Sequence, residues 1–148
     1  MHESVFKVEI LNRSRHPLPA YQTAGASGFD FHALLDTPVV LRPMEFAFIP
    51  TGLFMAIPAG FELQIRPRSG LATKYGLTLP NSPATVDSDY RGEIRICLVN
   101  LGKQDFEITD GMRIAQGVLV RTHRIVWQEV DQLTATPRNT NGFGHTGL

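Results

Sequence analysis

The chain has 148 residues, with 14 Lys plus Arg against 14 Asp plus Glu and a formal net charge of zero. That length suits one domain with its own core and is too short to expect two, and the charge balance offers no electrostatic basis for coating nucleic acid or an anionic membrane. The hydrophobic fraction is 43%, yet no run approaches the roughly 20 consecutive apolar residues that span a bilayer, and Met1 to Lys7 lacks the basic-then-apolar pattern of an export signal.

Along the chain, turn signals recur at close and fairly regular spacing: Arg42-Pro43, Pro50-Thr51-Gly52, Pro58-Ala59-Gly60, Leu101-Gly102-Lys103 and Thr109-Asp110-Gly111. Between them, apolar and polar residues alternate with period two. Phe61, Leu63 and Ile65 stand against Glu62, Gln64 and Arg66, and later Ile94, Ile96 and Leu98 stand against Glu93 and Arg95. Both segments read as half-buried strands. With 10 prolines and 13 glycines, the pattern predicts an all-β sandwich or barrel. Ser69 to Tyr75 reads as the one short helix, with Ser69 as its N-cap and Gly76 as its terminator. Cys97, the only cysteine, sits in the apolar run Ile96 to Val99 and is expected to be a buried structural thiol in a reducing, cytoplasmic setting. The five histidines show no ligand spacing, so no zinc site is expected. From about Thr134 the chain turns rich in Thr, Asn and Gly, which predicts a mobile C-terminal arm over 134–148.

Four segments carry chemistry, each with a plain structural alternative. Pro67-Arg68-Ser69-Gly70 places a guanidinium, a hydroxyl and a glycine amide at a helix start, which suits a phosphate; it also fits a capped surface helix. Asp87 and Asp89, two apart, point to one face if the chain there is extended, one to take a proton from water and the other to pair with an arginine; the alternative is a charged β-turn. Gly111 to Gln116 offers a turn glycine, a cation and an amide, with Gln116 suited to a phosphate oxygen or a water, or simply to a neighbouring backbone group. The tail joins Arg138 to Gly142, Gly144 and Gly147, which allow close backbone approach, and to Phe143, a flat surface for stacking on a base. No P-loop pattern is present.

In order, these segments resemble the five motifs of the trimeric dUTPase family. Ala26-Ser27-Gly28-Phe29-Asp30 resembles the first, Pro67 to Ala72 the second, Asn81 to Glu93 the third, Gly111 to Gln116 the fourth and Arg138 to Gly147 the fifth. The resemblance implies a jelly-roll β-barrel protomer in a homotrimer whose active sites are assembled from all three chains. It implies hydrolysis of dUTP to dUMP and diphosphate, limiting uracil in DNA and supplying dUMP for dTMP synthesis. Asp87 would deprotonate the water that attacks the α-phosphorus, and Mg²⁺ would arrive mainly on the substrate triphosphate, with Asp30 an outer-sphere partner through water. Arg68, Ser69, Gly70 and Gln116 would hold the phosphates and the catalytic water. Asn81 and the surrounding hairpin would read uracil, rejecting cytosine by unpaired polar groups and thymine by contact at C5, while Tyr90 packs on the sugar. Arg138, Gly144, His145 and Thr146 would close on the substrate, with Phe143 stacked on uracil. No nucleic-acid or membrane partner is implied.

Departures from the common family pattern stand at Ala84, where Gly is frequent, and at Asn139 and Asn141, where the tail usually carries glycines. If either tail position needs positive φ, Asn tolerates it best. His145 replaces a frequent Ser. Two rivals share the fold. A dCTP deaminase would need a catalytic Glu and a different Arg and Ser pattern, which Pro67 to Leu71 does not supply. A nucleotide-sensing module would have lost turnover, against which Asp87 and the complete tail speak.

Overall fold

The computed structural model describes residues 5–142. Eleven strands are found there: β1 (Glu9–Asn12), β2 (Phe29–His32), β3 (Val39–Leu41), β4 (Phe46–Pro50), β5 (Leu53–Ala56), β6 (Phe61–Arg66), β7 (Leu77–Thr78), β8 (Ala84–Val86), β9 (Arg95–Asn100), β10 (Phe106–Ile108) and β11 (Arg113–Arg121). One helix, α1 (Ser69–Tyr75), lies between β6 and β7. Every strand pair is antiparallel. The strands form four small sheets, ordered β1-β5, β10-β3, β2-β11-β6-β8 and β4-β9-β7, wrapped as a jelly roll around one core in which Phe31, Ile49, Leu63, Ile96, Leu98, Ile108 and Ile114 are fully buried.

The turn signals fall where the chain reverses. Gly52, Gly60 and Gly111 have φ of 69°, 82° and 75°, a region open to glycine at no steric cost. Alternation holds in β6, where Leu63 and Ile65 are buried and Arg66 is exposed. In β9 it fails, because Ile96 to Asn100 are all buried. Cys97 and Val99, on the outer face, lie directly opposite Phe48 and Phe46 of β4, and such cross-strand aromatic neighbours shield them. Burial pushes the Cys97 thiol pKa up, as a structural cysteine requires.

The helix spans the expected residues but is capped differently. Its N-cap is Arg68, in extended conformation and with no side-chain cap, and Ser69 is the first helical residue. The reason is where the first turn closes: the N–H groups of Leu71 and Ala72 both donate to the Arg68 carbonyl. Gly76 ends the helix at φ 72° with its N–H on Ala72 O, and a Cβ there would come 2.5 Å from Gly102 N.

Two polar clusters fasten the loops. Asn100, fully buried, donates through Nδ2 to the carbonyls of Leu41 and Gln104, each at 2.8 Å, and accepts from Gly102 N–H at 2.8 Å. Asp110 accepts from Arg15 Nε at 2.9 Å and from Leu35 N–H at 2.9 Å and meets His16 Nε2 at 2.9 Å. It thereby ties the turn before β11 to the amino-terminal segment.

Asn100→Ala should leave buried carbonyls unpaired and cost about 2–4 kcal/mol, read as a lower urea midpoint with unchanged slope. For Asp110, the Arg15 hydrogen bond, then Leu35 N–H and His16, hold the carboxyl well below the usual carboxylate range. A carboxylate depressed on folding stabilises above its unfolded pKa, about 4, and that contribution is lost as pH falls through the folded value. Asp110→Asn should therefore lower the melting temperature at neutral pH and flatten its fall on acidification below about pH 4; an unchanged acid limb would remove Asp110 from the account.

Candidate active site

Strand register sets up the first half of the site. In the sheet β2-β11-β6-β8, Asp30, Gln116 and Arg66 stand directly opposite one another across three strands, so their side chains share the face turned away from the core. A bulge in β11 between Arg113 and Ala115 places Arg113 opposite His32 and sends Ile114 into the core. Residues three apart on a regular strand point to opposite faces, and the extra residue reverses that. Arg113 and Gln116 thus reach the same face as Asp30.

Around Asp30 the groups interlock. Its Oδ1 accepts from Arg68 Nε at 3.1 Å and its Oδ2 from Arg113 Nη1 at 3.3 Å, while Arg68 Nη1 donates to the Arg113 carbonyl at 3.1 Å. The Asp30 side chain is only 15% exposed, against 28% for Arg68 and 45% for Arg113. Two guanidiniums on one carboxylate leave a net positive corner that faces solvent, suited to an anion. Gln116 Nε2 donates to Pro67 O at 2.9 Å, and exposed Ser69 and Gly70 open the first turn of α1 next to Arg68. His32 stands beside this corner with its pKa below the ordinary histidine value, through burial and then through His16 and Arg113.

The second half is a cavity of about 310 Å³ lined by Asn81, Ala84, Asp87, Tyr90, Glu93 and Arg95 among others. The expectation of extended chain at Asp87 and Asp89 is not met. Strand β8 ends at Val86, and Tyr90 N–H donates to Asp87 O at 3.2 Å, closing a turn over Asp87 to Tyr90. The two carboxylates therefore do not share a strand face, and the nearby Arg91 donates to the carbonyls of Ser88 and Tyr90 rather than pairing with Asp89. Asp87 lines the cavity and Asp89 does not. Tyr90 is fixed over Gly92, where a Cβ would fall 2.3 Å from its hydroxyl oxygen, and that hydroxyl donates to Glu93 O at 2.9 Å.

The halves do not meet within one chain. Val86 pairs with Leu63 and Gln116 with Arg66, so Gln116 and Asp87 differ by two strands and about four residues of rise, roughly 16 Å at ~4.8 Å per strand and ~3.3 Å per residue. Arg138 lies elsewhere, on an exposed stretch where its Nε donates to Asn141 O at 2.8 Å. Asn139 has φ 47°, the left-handed conformation expected of an Asn in a glycine's place; Asn141 is not among the positive-φ residues. Phe143, Gly144, His145 and Thr146 lie outside the described residues. Arg113, the bulge that directs it, and Gly28, packed against Gln116, were given no site role on sequence grounds; the signals were their places in the fourth motif, beside Gln116, and in the first, beside Asp30.

A family model for dUTPase matches residues 14–147. The deoxyuridine 5'-triphosphate nucleotidohydrolase of Finegoldia magna is 50% identical over 141 residues, covering 95% of this chain and 99% of that protein. The chain belongs to the dUTPase family. The corresponding enzyme of Rickettsia felis is 49% identical over 142 residues, covering 96% of each. The fold of this dUTPase-family chain matches that of the Staphylococcus bacteriophage 80alpha dUTPase with dUPNHPP at a TM-score of 0.87 and 22% identity, covering 97% of this chain and 100% of the phage chain. A variant of the phage phi11 dUTPase, in which a structural Mg(II) ion is described, matches at 0.78 and 20% identity over 88% of this chain and 100% of that one.

In this dUTPase-family chain, Gly92→Ala should force the Tyr90 ring out of place and break its hydrogen bond to Glu93. We expect shifted Tyr90 ring resonances by NMR and a stability loss of about 1 kcal/mol; unmoved Tyr90 resonances would mean the ring does not depend on Gly92.

Proposed function

We propose that this protein is a dUTP pyrophosphatase acting as a homotrimer, its whole length one dUTPase-like domain with residues from about 134 onward forming a lid. The observation that carries the reading is Asp87, exposed at a cavity shared with Asn81 and Tyr90 and, among the described residues, in no ion pair. A carboxylate so placed is available to take a proton from water.

Asn81 and the cavity's backbone groups hold uracil, and Tyr90 packs against the sugar. Asp87 draws the proton from a water as its oxygen attacks the α-phosphorus; the bond from that phosphorus to the αβ-bridging oxygen breaks, leaving dUMP and diphosphate. Arg68, Ser69, Gly70 and Gln116 hold the phosphates and the water. Arg138, Gly144, His145 and Thr146 close over the triphosphate, with Phe143 on the base, excluding solvent.

The donor set of the polar corner fits a metal borne by the substrate. Both Asp30 oxygens are engaged by arginines, and among the described residues no group of three or more His, Cys, Asp or Glu is placed to hold an ion. Asp30 would act through water. A Mg²⁺ brought by the substrate would supply neutralisation of charge on the leaving diphosphate.

Two features support the trimer. A single water must lie within about 3 Å of each group that holds it, and the roughly 16 Å set by strand register bars Gln116 and Asp87 of one chain from sharing it. A second copy must bring its Gln116 to this copy's Asp87. The stretch between β11 and the arm also leaves Ile125, Val126, Trp127, Val130 and Leu133 exposed, Val126 at 96% and Trp127 at 85%, apolar area that a partner subunit would cover. A cytoplasmic setting agrees with the buried thiol of Cys97, and no helix among the described residues is long and apolar enough to cross a membrane.

The test is diphosphate release from dUTP, dCTP, dTTP and UTP in parallel with Mg²⁺, with an EDTA control. Metal-dependent release from dUTP alone is expected; ammonia from dCTP would indicate a deaminase, and no release from any nucleotide a sensing module. Asp87→Asn should slow turnover about 100- to 10,000-fold while sparing dUTP binding. Truncation before Arg138 should remove most activity and leave the trimer, checked by light scattering; a monomeric truncation product would make the arm structural.

A further inference from the structure

Gln116 is held from two sides. Pro67 O can only accept, so the atom facing it is the amide nitrogen Nε2, and Oε1 must point the other way, toward Gly28. There the fit is tight: a Cβ on residue 28 would lie 2.8 Å from Gln116 Oε1, 3.1 Å from Gly117 O and 3.3 Å from Val118 Cγ2. Gly28 does not have positive φ, so the position asks for space and not for glycine's conformational freedom. Gly117 pairs with Phe29 and Gln116 with Asp30, which puts residue 28 diagonally across from Gln116 on the same face as Asp30. The amide is thus clamped between the Cα of one strand's approach and the carbonyl that precedes Arg68.

We propose that Gly28 is a positioning residue for the reaction: it leaves the space that seats the Gln116 amide, with Oε1 lodged against Gly28, one Nε2 hydrogen spent on Pro67 O and the other left for substrate or water. This rests on the dUTP hydrolase reading. Of the atoms a methyl group would meet, Gln116 Oε1 is both the nearest and the end of a flexible side chain, whereas Gly117 O is backbone. An alanine at 28 therefore displaces the amide before it disturbs the sheet. Displacement breaks the link to Pro67 and shifts the amide by the order of 1 Å, a misplacement that costs roughly 100-fold in the chemical step when the group orients reactants. Ground-state binding of uracil and sugar, which depends on the separate hairpin cavity, is left alone.

The experiment is a double-mutant cycle on the full-length protein with Gly28→Ala, Gln116→Ala and the pair. Gly28→Ala should lower kcat about 10- to 100-fold with KM changed less than about twofold, and should add nothing in the Gln116→Ala background, because its effect passes through the amide. Additive losses would overturn the proposal. The Gln116 side-chain amide resonances report the same geometry without turnover: they should shift in Gly28→Ala even if the protein hydrolyses no dUTP, which separates failure here from failure of the enzymatic reading. Should Gly28→Ala fold poorly, the pair Gly28→Ala with Gln116→Ala should melt no lower than Gln116→Ala alone. A further drop would mean that the methyl group strikes the Gly117 carbonyl and not the amide.

Discussion

The polar corner of this protein depends on the antiparallel register of β2, β11 and β6 and on the single extra residue in β11. Register alone lines up Asp30, Gln116 and Arg66, and the bulge brings Arg113 to the same face while its neighbour Ile114 goes inward. Without the extra residue, Arg113 and Gln116 would sit on opposite sides of the sheet. Asp30 would then keep Arg68 but lose its second cation, and Arg68 would lose the Arg113 carbonyl that holds its other branch. Because these contacts hang on backbone pairing in a packed sheet, the corner is arranged before any ligand arrives, which is the condition for electrostatic preorganisation.

The same sheet that assembles this corner keeps it from the other half of the site. Strand β8 lies at the far edge of the sheet from β2, and the turn carrying Asp87 leaves that strand at the end away from Arg68. A rigid sheet cannot fold back to close such a gap, so on the proposed reading the two halves are complementary between copies and redundant within none. The exposed apolar stretch from Ile125 to Leu133 fits this reading: a chain that leaves Trp127 and Val126 in water would have part of its hydrophobic stabilisation still to gain on assembly. The residues are divided in kind as well: the hairpin cavity is lined by Asn81, Asp87 and Tyr90, and the corner holds the cations and the amide.

Much of the fold was legible from local patterns because the relevant physics is local. Leu63 and Ile65 alternate with polar residues since one face of β6 meets the core, and Gly52, Gly60, Gly76 and Gly111 mark turns because each takes a positive φ. The helix was found at its full extent, since Gly76 ends it in the left-handed region. Where neighbours decide, local pattern misled. Ser69 is a good cap by type, yet the first turn closes on Arg68 O; Asp87 and Asp89 look like strand residues, yet the chain turns there; β9 is buried on both faces because Phe46 and Phe48 of β4 flank its outer side.

By its sequence alone the chain determined its class, its turns, the helix at Ser69–Tyr75 and the five ordered motifs that place it among dUTPases, because propensity, periodicity and motif spacing are properties of contiguous residues. Tertiary structure decided which of those residues meet. It gathered Asp30, Arg68, Arg113 and Gln116, which lie up to 86 positions apart in the chain, set Asp87 and Tyr90 in a separate cavity, and pressed Gly28 against Gln116. Those outcomes follow from strand register, from one bulge and from how closely one side chain packs on the backbone of a neighbouring strand. None of the three is encoded in a stretch short enough to be read without the partner strand beside it.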